Sequence, residues 1–268
     1  MKRIQLTMLC ALAVILLLTA TLANRSMASK SSISQTIKGD GFVVLELFTS
    51  EGCSSCPPAD ELLAKVQREA GDKPVYALSY HVDYWDNQGW RDVFSNPDYS
   101  KRQYQYASKL RAQVYTPQVV VNGKTEFVGS NASAMNYAIA SGISGSAVNT
   151  LQLQGKQQGA KMSLDYQVTG KTTDDELLIA IVQKNAVHQI KRGENEGRTL
   201  SHVQIVRSLQ TFQLDQPEKG QISIELPKAY SATGWEIIGL LQDRKSSVIH
   251  SATRAIFTAG EFKDIKVK

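Results

Sequence analysis

The stretch ELFTSEGCSSCPPAD, residues 46–60, holds Cys53 and Cys56 in C-x-x-C spacing. Two thiols so spaced can form a redox pair, give half of a metal site or close a structural disulfide. Tetrahedral zinc takes four Cys or His ligands. The only other cysteine is Cys10, so no second cysteine pair completes such a site. A thiol at a helix N-terminus is held toward its thiolate by free backbone N–H groups and the helix dipole. Cys53, on the strand side, then reads as the nucleophile. Cys56, inside the first helical turn, reads as the residue that resolves a mixed disulfide. Ser54 and Ser55 lie between them. The small ring closed by the pair is strained, and strained disulfides are the reducible ones. The competing reading is an inert disulfide. Glu51 opposes an acidic thiol, because a nearby carboxylate raises a thiol pKa.

A second group lies in YHVDYWDNQGW, which carries His81, Asp83, Tyr84, Trp85, Asp86 and Trp90. Side chains alternate along a strand, so His81 and Asp83 are expected on one face. Both fall at the carboxyl edge where the first strand delivers Cys53, the usual ligand crevice of a parallel sheet. There His81 can support the thiolate or shuttle protons. It can also join the two cysteines around a copper ion, or simply be a loop histidine beside Asp83. Trp85 and Trp90 make an aromatic loop that can grip a peptide or a small thiol, or seal onto its own domain. GENEGRTLSHVQIVR, residues 193–207, gathers Glu194, Asn195, Glu196, Arg198, His202 and Arg207 in a long hairpin loop bracketed by Gly193 and Gly197. It reads as a turn network or a docking surface. His188 and His250 read as surface or turn residues.

The elements that must position these residues follow from periodicity. Phe42 to Phe48 is short, apolar and β-branched, as a buried strand is. Pro57 and Pro58 open a helix in which Leu62, Leu63, Val66 and Ala70 recur at helical spacing, closed by Gly71. A second strand runs from about Val75 to Val82. Strand, helix and strand with short connections make a right-handed βαβ unit with parallel strands. Residues 88–113 read as one or two helices broken near Asn96-Pro97. TPQVVVNGKTEFVG is a hairpin turning on Asn122-Gly123. A helix from about Asn131 ends at Gly142. After Gly145 the texture changes to alternating runs at 148–154, 161–168, 176–183, 202–213, 221–226, 235–242 and 248–257. Such spacing is that of a small antiparallel sandwich.

The N-terminus carries its own signal. Lys2 and Arg3 precede MLCALAVILLLTATLA, residues 8–23, and Ser26-Met27-Ala28 fits a small-x-small cleavage site. This reads as a secretory signal peptide, because the apolar run is shorter than the roughly 20 residues that span a bilayer. Cys10 is then lost on cleavage. Leu9 precedes it where a lipoprotein signal wants a small residue. The mature chain keeps two cysteines in an oxidising compartment, where a disulfide is the default state. The formal charge is +5, but no dense Lys/Arg block follows the first residues. No basic stripe with aromatics is present, which argues against nucleic acid as a partner.

LELFTSEGCSSCPPAD, YHVDYWDNQGWRDVFSNP, YTPQVVVNG and GENEGRTLSHVQIVR resemble the secreted thioredoxin-like family catalogued as domain of unknown function 1223. The resemblance covers roughly residues 40–260. It implies an exported protein of bacterial type and a thioredoxin-like domain; with the alternating runs after Gly145, the expected fold is an α/β thioredoxin-like domain followed by an all-β sandwich-like C-terminal domain. The expected division is a signal peptide at 1–28, a flexible leader at 29–40, the thioredoxin-like domain at 41–145 and the sandwich at 146–268. A proline starts the third strand of the thioredoxin arrangement and is usually cis, and Pro117, after Thr116, stands at that place. The family has no settled activity, so the resemblance supplies no substrate.

These readings converge on an exported thiol–disulfide oxidoreductase. Cys53 attacks, Cys56 resolves, Pro117 and Thr116 hold the substrate backbone, His81 tunes with Asp83 in support, and Trp85 and Trp90 border the substrate. The substrate is a protein or a small thiol or disulfide. No cofactor, resident metal or stable membrane span after cleavage is expected. The alternative is a non-enzymatic binding protein, for a copper ion or a protein partner.

Overall fold

The computed structural model describes residues 41–170, 174–214 and 218–257. The expected signal peptide and leader lie outside these residues.

Strand β1 (Val43–Thr49) is buried along its whole length and lies parallel to β2 (Val75–His81). Between them runs helix α1 (Pro57–Ala70), which buries Ala59, Leu63, Val66 and Ala70 on one stripe. Two prolines fit its start because first-turn N–H groups have no intrahelical partner. Helix α2 (Pro97–Leu110) is capped by Asn96, whose side chain accepts from the Asp98 N–H. The helix thus begins where the sequence suggested a break. Strands β3 (Gln118–Val121) and β4 (Thr125–Val128) form the hairpin over Asn122 and Gly123, both at positive φ. Helix α3 (Ala132–Ser144) follows. The remainder is β5 (Thr150–Gln158), β6 (Lys161–Thr169), β7 (Asp175–Gln189), β8 (Thr199–Gln213), β9 (Lys219–Glu225), β10 (Trp235–Asp243), β11 (Ile249–Arg254) and β12 (Ile256–Phe257).

These strands make two sheets. The larger has eight strands in the order β11-β10-β7-β8-β2-β1-β3-β4, and the smaller has four in the order β12-β5-β6-β9. This corrects the expectation of an α/β thioredoxin-like domain followed by a sandwich. The described chain is mostly β, with three short helices, and strands from both halves share one mixed sheet. Periodicity identifies a strand but not its neighbour. The outer edge of β2 is apolar and needs hydrogen-bond partners. β8 meets it in parallel, with Ser79 opposite Ile205.

The same strands explain the core. Leu178, Ala180 and Val182 of β7 pack with Phe48, Leu78, Tyr80, Tyr99 and Tyr106. Leu177, Ile179 and Ile181, on the opposite face, pack with Leu153, Met162 and Leu164 of the small sheet. β7 is therefore covered on both faces. A third cluster places α1 and α3 against β1, through Leu45, Leu47, Leu63 and Met135. A buried polar tie crosses the first core: Arg102 Nε donates to Glu46 Oε1 at 2.7 Å, and Arg102 and Gln242 both donate to the Tyr106 hydroxyl. It links β1, α2 and β10. Among the described residues no helix is long and apolar enough to cross a membrane.

Candidate functional site

Cys53 and Cys56 are joined as a disulfide at the N-terminus of α1. Cys56 is the N-cap residue, and its carbonyl accepts from the Ala59 and Asp60 N–H groups at 2.8 and 3.1 Å. Ser55 Oγ lies 3.4 Å from Cys53 Sγ and donates to the Thr116 carbonyl at 3.4 Å. The Thr116–Pro117 peptide bond is cis. Trp85 Nε1 donates to Thr116 Oγ1 at 2.9 Å, so the tryptophan loop is fastened to the proline loop beside the disulfide. Trp90 Nε1 donates to Glu51 Oε2 at 2.8 Å.

Both cysteines are fully covered. The loop joining β7 to β8 is tied to the backbone on either side of Gly52. Asn195 Nδ2 donates to the carbonyls of Glu51 and Cys53, each at 2.9 Å, and Arg198 holds the Asn195 side chain through its Oδ1. Glu194 accepts from the Ser54 N–H at 3.1 Å, and the Ser54 side chain together with this N–H lowers its carboxyl pKa. Gly193 sits at φ 81, and a Cβ there would lie 3.1 Å from Trp90 Cβ. Close approach of this loop to the tryptophan loop therefore requires glycine.

Around Glu51, two residues before Cys53, lies a largely buried group of acids and imidazoles. His81 Nδ1 pairs with Asp92 Oδ2 at 2.6 Å, and both residues are buried. The same Asp92 carboxylate accepts from the N–H groups of Glu51 and Phe94. Burial alone would raise its pKa, but His81 and these donors outweigh burial and lower it to about 2. The His81 ring faces Phe94 and His202. Glu51 Oε1 lies 2.9 Å from His188 Nδ1 and 3.3 Å from His202 Nε2. His202 Nδ1 is 3.9 Å from Asp60 Oδ2. Burial pushes the Asp60 pKa up to about 7; His202 and the Thr49 hydroxyl oppose the shift, and Asp92 and Glu51 add to it.

His81 is thus partnered by Asp92, not by Asp83. β2 ends at His81 and the chain bends by Asp83, so strand alternation no longer applies. Asp83 instead accepts from the Ser100 hydroxyl, at the start of α2. The residues that sequence reasoning left out of the site are Asp60, Asp92, His188, His202 and Asn195. His188 belongs to β7 and is half-buried against Glu51, not a turn residue. The strand register is what joins the two histidines. In the β7–β8 hairpin Ala186 opposes His202 and His188 opposes Leu200, so the two histidines are diagonal neighbours on one face. His250 pairs with Asp175 through Nδ1 at 2.9 Å, on β11. Among the described residues, no group of three or more His, Cys, Asp and Glu side chains is arranged to hold a metal.

No curated protein matches the sequence. The chain is similar in structure to Protein AGR_C_4864 from Agrobacterium tumefaciens, at 25% identity and a TM-score of 0.62, covering 82% of this chain and 96% of that one. That match takes in strands of both halves. A domain of the outer membrane lipoprotein Omp28 from Porphyromonas gingivalis aligns at 9% identity, over 41% of this chain and 88% of that one, with a TM-score of 0.28, too low to inform the fold. Residues 44–242 match the family described as "Protein of unknown function (DUF1223)". A match over so much of the sequence establishes that the chain belongs to this family of proteins of unknown function.

Proposed function

We propose that the chain is an exported thiol–disulfide oxidoreductase that works through Cys53 and Cys56. The observation that carries this reading is a disulfide at the first turn of α1, with the Thr116–Pro117 loop against Ser55. In the forward step a substrate thiolate attacks Cys53 Sγ, the Cys53–Cys56 bond breaks, and Cys56 leaves as a thiolate. A second substrate thiolate then attacks the substrate sulfur of the mixed disulfide and releases Cys53. The substrate is oxidised to a disulfide, and the pair is reduced to two thiols. Helix-terminal N–H groups stabilise the thiolates. Thr116 and Pro117 present a backbone edge to the substrate, and Trp85 and Trp90 flank it. His81, fixed by Asp92, sits behind the site as a tuning group. Export rests on the N-terminal apolar sequence.

Attack on Cys53 needs its surroundings to open, because the residue is fully buried, and the segment we expect to move is the Asn195 loop bonded to its carbonyl. Its hydrogen bonds are net worth about 0.5–1.5 kcal/mol each, so opening is within thermal reach. Complete burial of both sulfurs favours a second reading, in which the disulfide only fastens the loops of a non-enzymatic binding protein.

Trapping in the exported compartment separates the two. Cys56→Ser should accumulate mixed disulfides through Cys53, and Cys53→Ser should accumulate few. A redox titration should give a potential in the window of roughly −120 to −270 mV. Equal trapping by both variants, or none, together with a disulfide that resists reduction, would leave the binding protein standing.

A further inference from the structure

Asp60 lies one helical turn after Cys56, and its N–H bonds the Cys56 carbonyl at 3.1 Å. Residues four apart on a helix share a face, and helical side chains lean toward the N-terminus. The Asp60 carboxyl is therefore directed toward the Cys56 turn. It is buried, and Thr49 Oγ1 donates to it at 3.2 Å. On its other side stands His202, buried, with neither ring nitrogen in a hydrogen bond. Unsatisfied buried nitrogens are costly, so a native pair of them calls for an explanation. Each lies near a carboxylate without hydrogen-bond geometry: Nδ1 at 3.9 Å from Asp60 Oδ2 and Nε2 at 3.3 Å from Glu51 Oε1. Glu51 is bonded in turn to His188, whose side chain is 31% exposed. The groups form a series from the helix start to the surface, with gaps of 3.9 and 3.3 Å on either side of His202.

We propose that Asp60, His202, Glu51 and His188 form a proton path between the Cys53–Cys56 disulfide and solvent. The path rests on the oxidoreductase reading. When a dithiol attacks Cys53, the attacking molecule itself occupies the opened front of the site. The Cys56 thiolate then takes its proton from the Asp60 carboxyl. Asp60, left as a carboxylate, is reprotonated by His202, which takes a proton on one ring nitrogen as it releases one from the other. Glu51 and His188 refill His202 from water. In the reverse direction the same groups carry the Cys56 proton out. A carboxyl with a pKa near 7 suits the task, since proton transfer is best served by a group whose pKa is close to the working pH. The groups facing Asp60 are His202 from β8, Thr49 at the end of β1, Glu51 just after it, and Asp92, with His81 beyond Asp92.

The test is stopped-flow reduction of the oxidised full chain by dithiothreitol from pH 5 to pH 9, with rates expressed per dithiothreitol thiolate. The wild-type rate should fall as pH rises through about 7, where Asp60 loses its proton. Asp60→Asn should remove that inflection and slow reduction about 10²-fold, the lower range for general acid catalysis. His188→Gln, at the surface end, keeps a donor for Glu51, and its thermal midpoint checks that it folds. It should slow the reaction in weak buffer and recover in added imidazole, whereas His202→Gln should not recover. A purely structural role for these residues moves neither the pH profile nor the imidazole response. Wild-type pH profiles in Asp60→Asn, with no imidazole response in His188→Gln, would overturn the path and leave the oxidoreductase reading intact. A wild-type disulfide that dithiothreitol does not reduce would overturn both.

Discussion

Replacing Asp60 by Asn should stabilise the protein, and by an amount that grows with pH. The folded chain holds this carboxyl up to about 7 against an ordinary value of 3.8, with burial as the largest cause. Below pH 4 the group is protonated in both folded and unfolded chains, and its ionisation costs the fold nothing. Between pH 4 and pH 7 the unfolded chain releases the proton while the folded chain keeps it. The native state then binds more protons than the unfolded state, so stability falls as pH rises. Above pH 7 both forms are ionised and the loss levels off. A shift of about three units at about 1.4 kcal/mol per unit makes the full loss about 4 kcal/mol. Asn has the same shape, still accepts from Thr49 and never ionises. The stability difference between Asp60→Asn and wild type should therefore rise by about 3–4 kcal/mol from pH 4 to pH 8. His81, His188 and His202 are present in both proteins and largely cancel in the difference. Urea unfolding of the oxidised proteins at half-unit pH intervals measures it. A difference that stays flat across this window would refute the claim that burial raises the Asp60 pKa.

Asn195→Ala removes two donations to the carbonyls that frame Cys53, and should cost about 1–3 kcal/mol of stability. If the loop gates the sulfur, losing about 1.4 kcal/mol of closed-state preference should speed reduction by dithiothreitol about tenfold; an unchanged rate would show that the loop is no cover. Arg102→Leu leaves Glu46 buried without its cation and should cost about 3–5 kcal/mol, seen as a drop in thermal midpoint. The double variant Arg102→Leu/Glu46→Gln should regain a large part of that loss; a deficit equal to the sum of the two single changes would show that the pair does not interact.

The sequence was most readable where local physics decides the structure. The apolar run before Cys53, the prolines that open α1 and the Asn122-Gly123 turn each leave a mark within a few residues. Pairing across the sheet leaves none. Nothing in YALSYHV says that β8 lies beside it, and nothing in the alternation of β7 separates a sandwich strand from one packed on both faces. Leu177 and Leu178 look alike as letters, yet they belong to different cores. The expectation of two successive folds failed at this step. The Asp83 assignment failed for a related reason, because alternation was carried beyond the last strand residue. Asp92 sits in a loop, where its reach to His81 depends on a fold that periodicity cannot supply.

The hairpin between β7 and β8 changes what the C-x-x-C motif can do. On its own, the motif offers a thiol pair at a helix start, and the first half provides Asp60, Glu51 and the proline loop around it. The hairpin supplies Asn195, bonded to the Cys53 carbonyl, and His202 and His188, both beside Glu51. The strand that carries His202 also pairs with β2, the strand that carries His81. One pairing thus completes the sheet and aligns the imidazoles, whose rings lie 4.8 Å apart. A chain stopped before β7 would keep both cysteines and lose the cover, the unbonded histidine beside Asp60 and the neighbour of β2 together. Access to the sulfur and protons for the sulfur would then both come from bulk water. On the oxidoreductase reading the second half is therefore part of the site: it would set how the cysteine pair is reached and by which groups its proton is carried.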